Sequence, residues 1–261
     1  MTDAPDRAGN LYLVPNTLDF GVPVAPGTLP DLRETLPDGV IRIAARLTHW
    51  VAENAKTTRA FLKRVDTVVP LAQPLQTLSI VELPRPAKGS AVAAAPDLRA
   101  LLAPLFKGHD LGLISEAGLP AVADPGAVLV QAAHAQHLRV IALSGPSSLM
   151  LALAASGLNG QSFAFVGYLP VAPAQRAVRI RELEGVSRRA MQTQLMIETP
   201  YRNEALLEAL LGTLQATTTL SVSCGLTLAH GFTRSDTVQE WRRQPSALPA
   251  DVPAVFALLA R

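Results

Sequence analysis

Three stretches of the sequence run from an apolar segment straight into small residues and proline. They are Val14-Pro15-Asn16-Thr17, Ser115-Glu116-Ala117-Gly118-Leu119-Pro120 and Ser144-Gly145-Pro146-Ser147-Ser148. Glycine at such a place lets backbone amides approach a ligand with no Cβ in the way. Ser147 and Ser148 are suited to cap a following helix, leaving its first amides for a carboxylate or a phosphate. Turn and cap chemistry accounts for any one stretch alone. If all three end strands of one parallel sheet they imply one cleft, because ligands of such sheets sit beyond the carboxyl ends of the strands, where the loops diverge. Other chemistries lack their signatures. No G-x-G-x-x-G follows the first apolar run, and the sequence contains no G-x-x-x-x-G-K-[ST] and no G-x-S-x-G. The histidines at 49, 109, 134, 137 and 230 have no metal spacing and read as structural, so no metal site is expected. The single cysteine, Cys224, has no partner for an internal disulfide and reads as a small buried apolar residue of a cytosolic protein.

The elements that must hold these loops alternate short apolar runs with longer amphipathic ones, which predicts an α/β fold. Strands are expected at Leu11–Val14, Val40–Ala44, Leu111–Ile114, Arg139–Leu143, Phe163–Val166, Gln194–Ile197, Leu220–Val222 and Ala254–Leu259. Helices are expected at Lys56–Val65, Ala127–Ala135 and Asn203–Leu214, with Asp124 as N-cap and Pro125 at the first helical position of the second. The proline-rich residues 66–96 predict only edge strands and loops, apart from the alanine-rich Ala91–Ala95. A helix at Gln175–Arg189 sets arginines 176, 179, 181, 188 and 189 against Glu182 and Glu184, a solvated face or an RNA-binding one.

Bulk composition narrows the partners. The 261 residues are 49% apolar and 17% charged, which excludes a disordered polyelectrolyte. A net charge of +2 is too small to attract nucleic acid or membrane by bulk electrostatics, so any such partner must be met locally. The polar, aspartate-bearing start does not read as a secretory signal. No charged side chain falls between Val140 and Gln175, yet Ser144–Ser148 and Gly157–Gly160 break that stretch. The helix left between them is about 11 residues, roughly 16 Å, too short to span a bilayer.

At these loops the sequence resembles the tetrapyrrole methylase superfamily of S-adenosylmethionine-dependent methyltransferases, and most closely its small-subunit ribosomal RNA 2′-O-methyltransferases and their short relatives. The resemblance runs through Leu11–Pro15, Ala52–Lys56, Ser115–Pro120 with Asp124-Pro125-Gly126, Gly145–Ser148, Gly167-Tyr168-Leu169-Pro170 and Glu198–Arg202. It implies two α/β domains, at 9–145 and 146–261, with S-adenosylmethionine folded into the cleft between them, in a cytoplasmic homodimer engaged in ribosomal RNA processing. The implied cofactor contacts are Leu18 in the first loop, Gly118, Leu119 and Val122 in the second, and Ser147 and Ser148 in the third; Glu116, by its own place in the second loop, is a further candidate. Ile197 and Leu226 are the implied contacts of the second domain.

At the mouth of the cleft, Glu53, Lys56 and Glu198 are the candidates to accept the proton of a hydroxyl acceptor, with Glu53 first, and Tyr201 and Arg202, which follow a strand end, are the candidates to meet the substrate. Glu53 is then a proton acceptor for a ribose hydroxyl, or a carboxylate that stabilises the next helix through its dipole. Glu116 faces the sulfonium or binds neighbouring amides, and Arg202 meets a phosphate or pairs with Glu198. Two departures stand out. The ribosomal RNA enzymes carry P-T-P-I-G-N-L where this chain has Pro15-Asn16-Thr17-Leu18-Asp19-Phe20-Gly21, and E-D-T-R where it has Glu53-Asn54-Ala55-Lys56. Lysine lacks the planar fork with which arginine grips a phosphate. The leading expectation is methyl transfer to RNA. The alternatives are transfer to a tetrapyrrole or another small molecule, and a non-catalytic module that binds the cofactor.

Overall fold

The computed structural model describes residues 8–21, 29–84 and 98–261. The Ala91–Ala95 tract and the end of the 66–96 region lie outside them. The chain divides into two compact units, one ending at Pro146 and the other running from Ser147 to Arg261.

The first unit contains, in chain order, β1 (Leu11–Leu13), α1 (Asp38–Arg46), β2 (His49–Ala52), α2 (Ala55–Val68), β3 (Ser79–Glu82), α3 (Ala103–Phe106), β4 (Leu111–Ile114), α4 (Ala127–Ala135) and β5 (Val140–Ala142). Its strands form a parallel sheet in the order β3-β2-β4-β1-β5, in which Leu11 lies opposite both Leu111 and Val140. Successive side chains of a strand point to opposite faces. Tyr12, Trp50 and Ala52 accordingly pack with Ile41, Phe61, Leu62 and Val65 of α1 and α2, while Leu11 and Val51 pack with Leu105, Leu129 and Ala133 on the other face. A Cβ on Gly112 would come within 2.6 Å of the Trp50 ring, so this glycine makes room for the largest side chain of the layer.

The second unit contains α5 (Ser148–Ser156), β6 (Phe163–Phe165), α6 (Pro173–Ala190), β7 (Thr193–Glu198), α7 (Asn203–Thr213), β8 (Thr219–Cys224), β9 (Phe232–Thr237), α8 (Val238–Arg243) and β10 (Ala254–Leu259). Its sheet runs β6-β7-β10-β8-β9, parallel between β6 and β7 and antiparallel elsewhere. The central strand β10 is buried along its whole length. Ala254, Phe256 and Leu258 face the cluster built with α6, α7 and α8, and Val255 and Ala257 face α5.

Several expectations need correction. Val40–Ala44 is not a strand but the middle of α1, where Val40, Ile41, Ala44 and Ala45 are buried at helical spacing. A short apolar run reads equally well as strand or buried helix. The strands β2 and β9 were not expected. β2 is only four residues long, and β9, Phe-Thr-Arg-Ser-Asp-Thr, is polar because it lies at a sheet edge. Asp124 does not cap α4, whose N-cap is Gly126; its Oδ1 instead accepts the Gly126 amide at 2.6 Å inside the preceding loop. The apolar run after Ser147 forms a nine-residue helix closed by Gly157 at φ 69°. Among the described residues, no helix is long and apolar enough to cross a membrane.

Cys224 ends β8 with 1% exposure, and burial pushes its thiol up to about 11. The thiolate is the reactive form. Native protein at pH 8 is therefore expected to react with a disulfide reagent far more slowly than protein unfolded in guanidinium, as followed by thiolate release.

Candidate functional site

Within the first unit the three loops meet. Asn16 and Gly118 exchange backbone hydrogen bonds, Asn16 N–H to the Gly118 carbonyl at 3.0 Å and Gly118 N–H to the Asn16 carbonyl at 3.1 Å. The Asn16 side-chain amide donates to the carbonyls of Ser115 and Glu116 at 3.3 and 2.9 Å, and its oxygen accepts the Thr17 amide. A single buried side chain thus ties the loop after β1 to the loop after β4. The third loop joins them up to Pro146. A Cβ on Gly145 would lie 2.3 Å from the Pro15 Cβ, and one on Gly118 would lie 3.3 Å from Leu18 Cδ2 and 3.4 Å from the Pro146 carbonyl oxygen. Gly118 has φ +69°, a left-handed conformation that side-chain-bearing residues rarely adopt.

The second loop continues in the same strained manner. Ala121 and Ala123 have φ of 67° and 61°, each an unfavourable conformation for a residue with a Cβ. Such strain persists only where the surroundings enforce it, and it gathers at ligand-binding segments. Asp124 supplies the enforcement here. Its Oδ1 accepts the Gly126 amide at 2.6 Å, with the amides of Ala121 and Val122 near enough to favour the carboxylate, while its Oδ2 is buried with no hydrogen-bond partner. Burial, against those bonds, leaves its carboxyl above the usual carboxylate value. Glu116 and Val122 are exposed, Leu119 is half-buried, and Leu18 is buried beside Gly118. A side chain at Gly118 or Gly145 would push these loops apart.

Glu53 and Lys56 flank the start of α2. The N-cap is Asn54, whose side chain accepts the amides of Lys56 and Thr57 at 2.9 and 3.3 Å. Asparagine caps as well as aspartate does, so the departure from E-D-T-R preserves the start of the helix. Glu53 reaches across instead, its Oε2 accepting the Glu116 amide at 3.0 Å. Lys56 is exposed.

The remaining expected residues belong to the second unit. Ser147 caps α5, its hydroxyl accepting the Met150 amide at 3.5 Å, and Ser148 is the first helical residue. Ile197 and Leu226 pack against the α5 cluster that contains Leu149 and Leu153. Tyr201 is 79% exposed. Arg202 pairs with Glu198 at 2.6 Å, and that bond raises the pKa of its guanidinium. Of the two readings for Arg202, the ion pair is the one seen. Of the five arginines on α6, Arg176 donates to the carbonyls of Val171 and Ala205, Arg179 pairs with Glu182, and Arg188 donates to the Arg261 carbonyl. Arg181 and Arg189 are exposed.

Sequence reasoning missed the pair Asp19 and Arg64. Arg64 Nη2 donates to Asp19 Oδ2 at 2.8 Å and to the Pro30 carbonyl at 2.9 Å, and Nη1 donates to Asp19 Oδ1 and Thr17 Oγ1. The two side chains are 14% and 6% exposed. Burial alone would raise the Asp19 carboxyl, but Arg64, the Gly21 amide and the Thr17 hydroxyl outweigh it and bring it below the model-peptide value. The separation of 45 residues carries no periodic signal. The lone aspartate in an otherwise small and apolar loop was the available clue. Among the described residues, no group of three or more histidine, cysteine, aspartate or glutamate side chains is arranged to hold a metal ion.

No protein-family model matches the chain. Curated relatives do. A protein of Streptococcus pyogenes serotype M1 named ribosomal RNA small subunit methyltransferase I is 31% identical over 198 residues, covering 75% of this chain and 57% of that protein. Proteins of the same name from Halalkalibacterium halodurans and Xylella fastidiosa are 29% identical over 206 residues and 46% identical over 79 residues, covering 61% and 29% of their lengths. The matches thus span less than two thirds of these relatives. The solved structure of a uroporphyrin-III-C-methyltransferase from Thermus thermophilus aligns over 96% of this chain and 92% of its own, at 17% identity and a TM-score of 0.49. The chain is similar in sequence, over part of their length, to proteins named ribosomal RNA small subunit methyltransferase I.

Proposed function

We propose that this chain is an S-adenosylmethionine-dependent methyltransferase acting on RNA, cytoplasmic and homodimeric. The observation that carries the reading is the meeting of three strand-end loops around the left-handed backbone of Gly118. The relatives' name and the exposed Arg181 and Arg189 of α6 favour RNA as the acceptor. Bound S-adenosylmethionine would supply an electrophilic methyl on its sulfonium. The protein's part is then mainly alignment and exclusion of water, worth about 7–11 kcal/mol when reacting atoms are held in line. Leu18, Glu116, Gly118, Leu119 and Val122 are the proposed cofactor residues of the first unit, and Ser147, Ser148, Ile197 and Leu226 those of the second. Tyr201 and Arg202 are proposed for the substrate, with Arg202 held ready by Glu198.

A hydroxyl acceptor must lose its proton as the new bond forms, and Glu53 with Lys56 is the proposed pair to manage it. Glutamine at 53 keeps a carbonyl oxygen for the Glu116 amide but cannot take a proton. Glu53→Gln is therefore expected to lower kcat about a hundredfold while cofactor affinity stays within twofold, roughly the scale of a lost general base. Transfer of labelled methyl to RNA and calorimetry on the same protein check both halves. The small net charge favours a second reading, a small-molecule acceptor, which would bind almost independently of salt where RNA would not. The direct test of the proposal is calorimetric titration of the purified protein with S-adenosylmethionine and S-adenosylhomocysteine. Binding of both is expected; binding of neither would remove the methyltransferase reading.

A further inference from the structure

A cavity of about 230 Å³ opens in the first unit between the loop after β1 and the first half of α2. It is lined by Phe20, Phe61 and Ala60 on its apolar sides and by Asn16, Glu116 and the paired Asp19 and Arg64 on its polar ones. It falls below the roughly 300–1,000 Å³ usual for drug-sized ligands. One flat ring with part of its substituent fits, whereas a tetrapyrrole macrocycle does not. Phe20 is 53% exposed and has φ 51°, so an aromatic ring is held at the rim in a conformation that costs free energy. Glu116 presents a carboxylate that can accept the N–H groups of a base edge.

Arg64 is paired with Asp19 inside the cavity, so the cationic charge lies beside it. On α2, Thr57, Ala60, Phe61 and Arg64 face the cavity at helical spacing, and the adjacent row is Lys56, Arg59 and Lys63, all exposed. The only acidic residue of this helix is Asp66, which accepts the Leu71 amide. A base-sized slot with an aromatic rim and a row of cations alongside is the arrangement with which proteins hold unstacked nucleotides, the rings stacking and the cations following the phosphates. We infer that this cavity receives one unstacked nucleobase of the RNA, with the adjoining phosphates lying along Lys56, Arg59 and Lys63. The inference rests on the RNA reading above and gives its acceptor strand a place.

The test is equilibrium binding of a short single-stranded RNA of mixed sequence across a range of salt, by fluorescence anisotropy, with thermal melting as a check that each variant folds. Phe20→Ala is expected to weaken binding roughly tenfold with the salt slope unchanged, and Phe20→Trp to restore it, since a base stacked on an aromatic ring loses about that much on truncation. Lys63→Ala is expected to lower the salt slope by about 0.7, the share of one single-strand phosphate. Equal affinity for wild type and Phe20→Ala overturns the inference, as does an unchanged slope in Lys63→Ala or no RNA binding by wild type. Calorimetry with S-adenosylmethionine on the same samples reads the other proposal separately. If the RNA results hold and the cofactor does not bind, the methyltransferase reading falls while the nucleobase site stands.

Discussion

Arginine at position 118 is expected to abolish measurable binding of S-adenosylmethionine while leaving the rest of the first unit folded. The backbone there sits at φ +69°, which costs an L side chain about 1–2 kcal/mol. A Cβ alone meets Leu18 at 3.3 Å and the Pro146 carbonyl oxygen at 3.4 Å, and the longer side chain must push apart the loops that are proposed to hold the cofactor. Gly118 also exchanges two hydrogen bonds with Asn16, so a shift of one loop carries to the other. A loss of more than about a hundredfold in affinity, some 2.7 kcal/mol, is expected by calorimetry. Alanine tests the strain without the bulk and is expected to lose about tenfold. If Gly118→Arg bound the cofactor as wild type does, the meeting of the loops would have to serve something else.

The second large effect concerns stability. Removing either partner of the Asp19 and Arg64 pair leaves the other charge buried without compensation, a loss of about 3–5 kcal/mol. Asp19→Ala and Arg64→Ala are each expected to fall in that range. The double replacement Asp19→Leu with Arg64→Met is expected to recover most of it, because an apolar pair of similar volume needs no ionic partner. Trp50 reports on the first unit and Trp241 on the second, so urea unfolding followed by Trp50 fluorescence in a Trp241→Phe background isolates the relevant transition. The pH dependence has a definite sign. The folded Asp19 carboxyl lies below its ordinary 3.8, so the unfolded chain binds the extra proton and the pair's contribution is complete above that value. It is lost as pH falls through the lower, folded pKa. The advantage of wild type over Asp19→Asn is therefore expected to be flat from neutral pH to about 4 and to shrink below it.

What was legible in the sequence follows from what leaves a local trace. Ala254–Leu259 is an unbroken apolar run that follows Pro253, and a central strand buried on both faces produces just that pattern. Ala127–Ala135 was equally plain, but its cap was not, because Asp124 is bonded to the Gly126 amide inside the preceding loop rather than to the helix. The strand-end loops could be recognised from glycine and proline alone. What brings them together could not, since Asn16 meets Glu116 and Gly145 meets Pro15 across a hundred residues or more of chain. The basic row of α2 was hidden for a different reason. Lys56, Arg59 and Lys63 look like any solvated face until Ala60 and Phe61 are seen to line a cavity.

The strand order of the first unit also sets a timetable for its birth. Leu11 pairs with Leu111 on one side and Val140 on the other, so β1 emerges from the ribosome 100 residues before its nearer neighbour. At the usual 5–20 residues per second that is roughly 5–20 s, far longer than helices such as α1 and α2 need to form. Through that interval Leu11-Tyr12-Leu13-Val14 has no sheet to enter. A nascent chain stopped short of Ala142 would leave its first strand half paired, and such a chain should be held by chaperones or degraded rather than accumulate as a folded fragment.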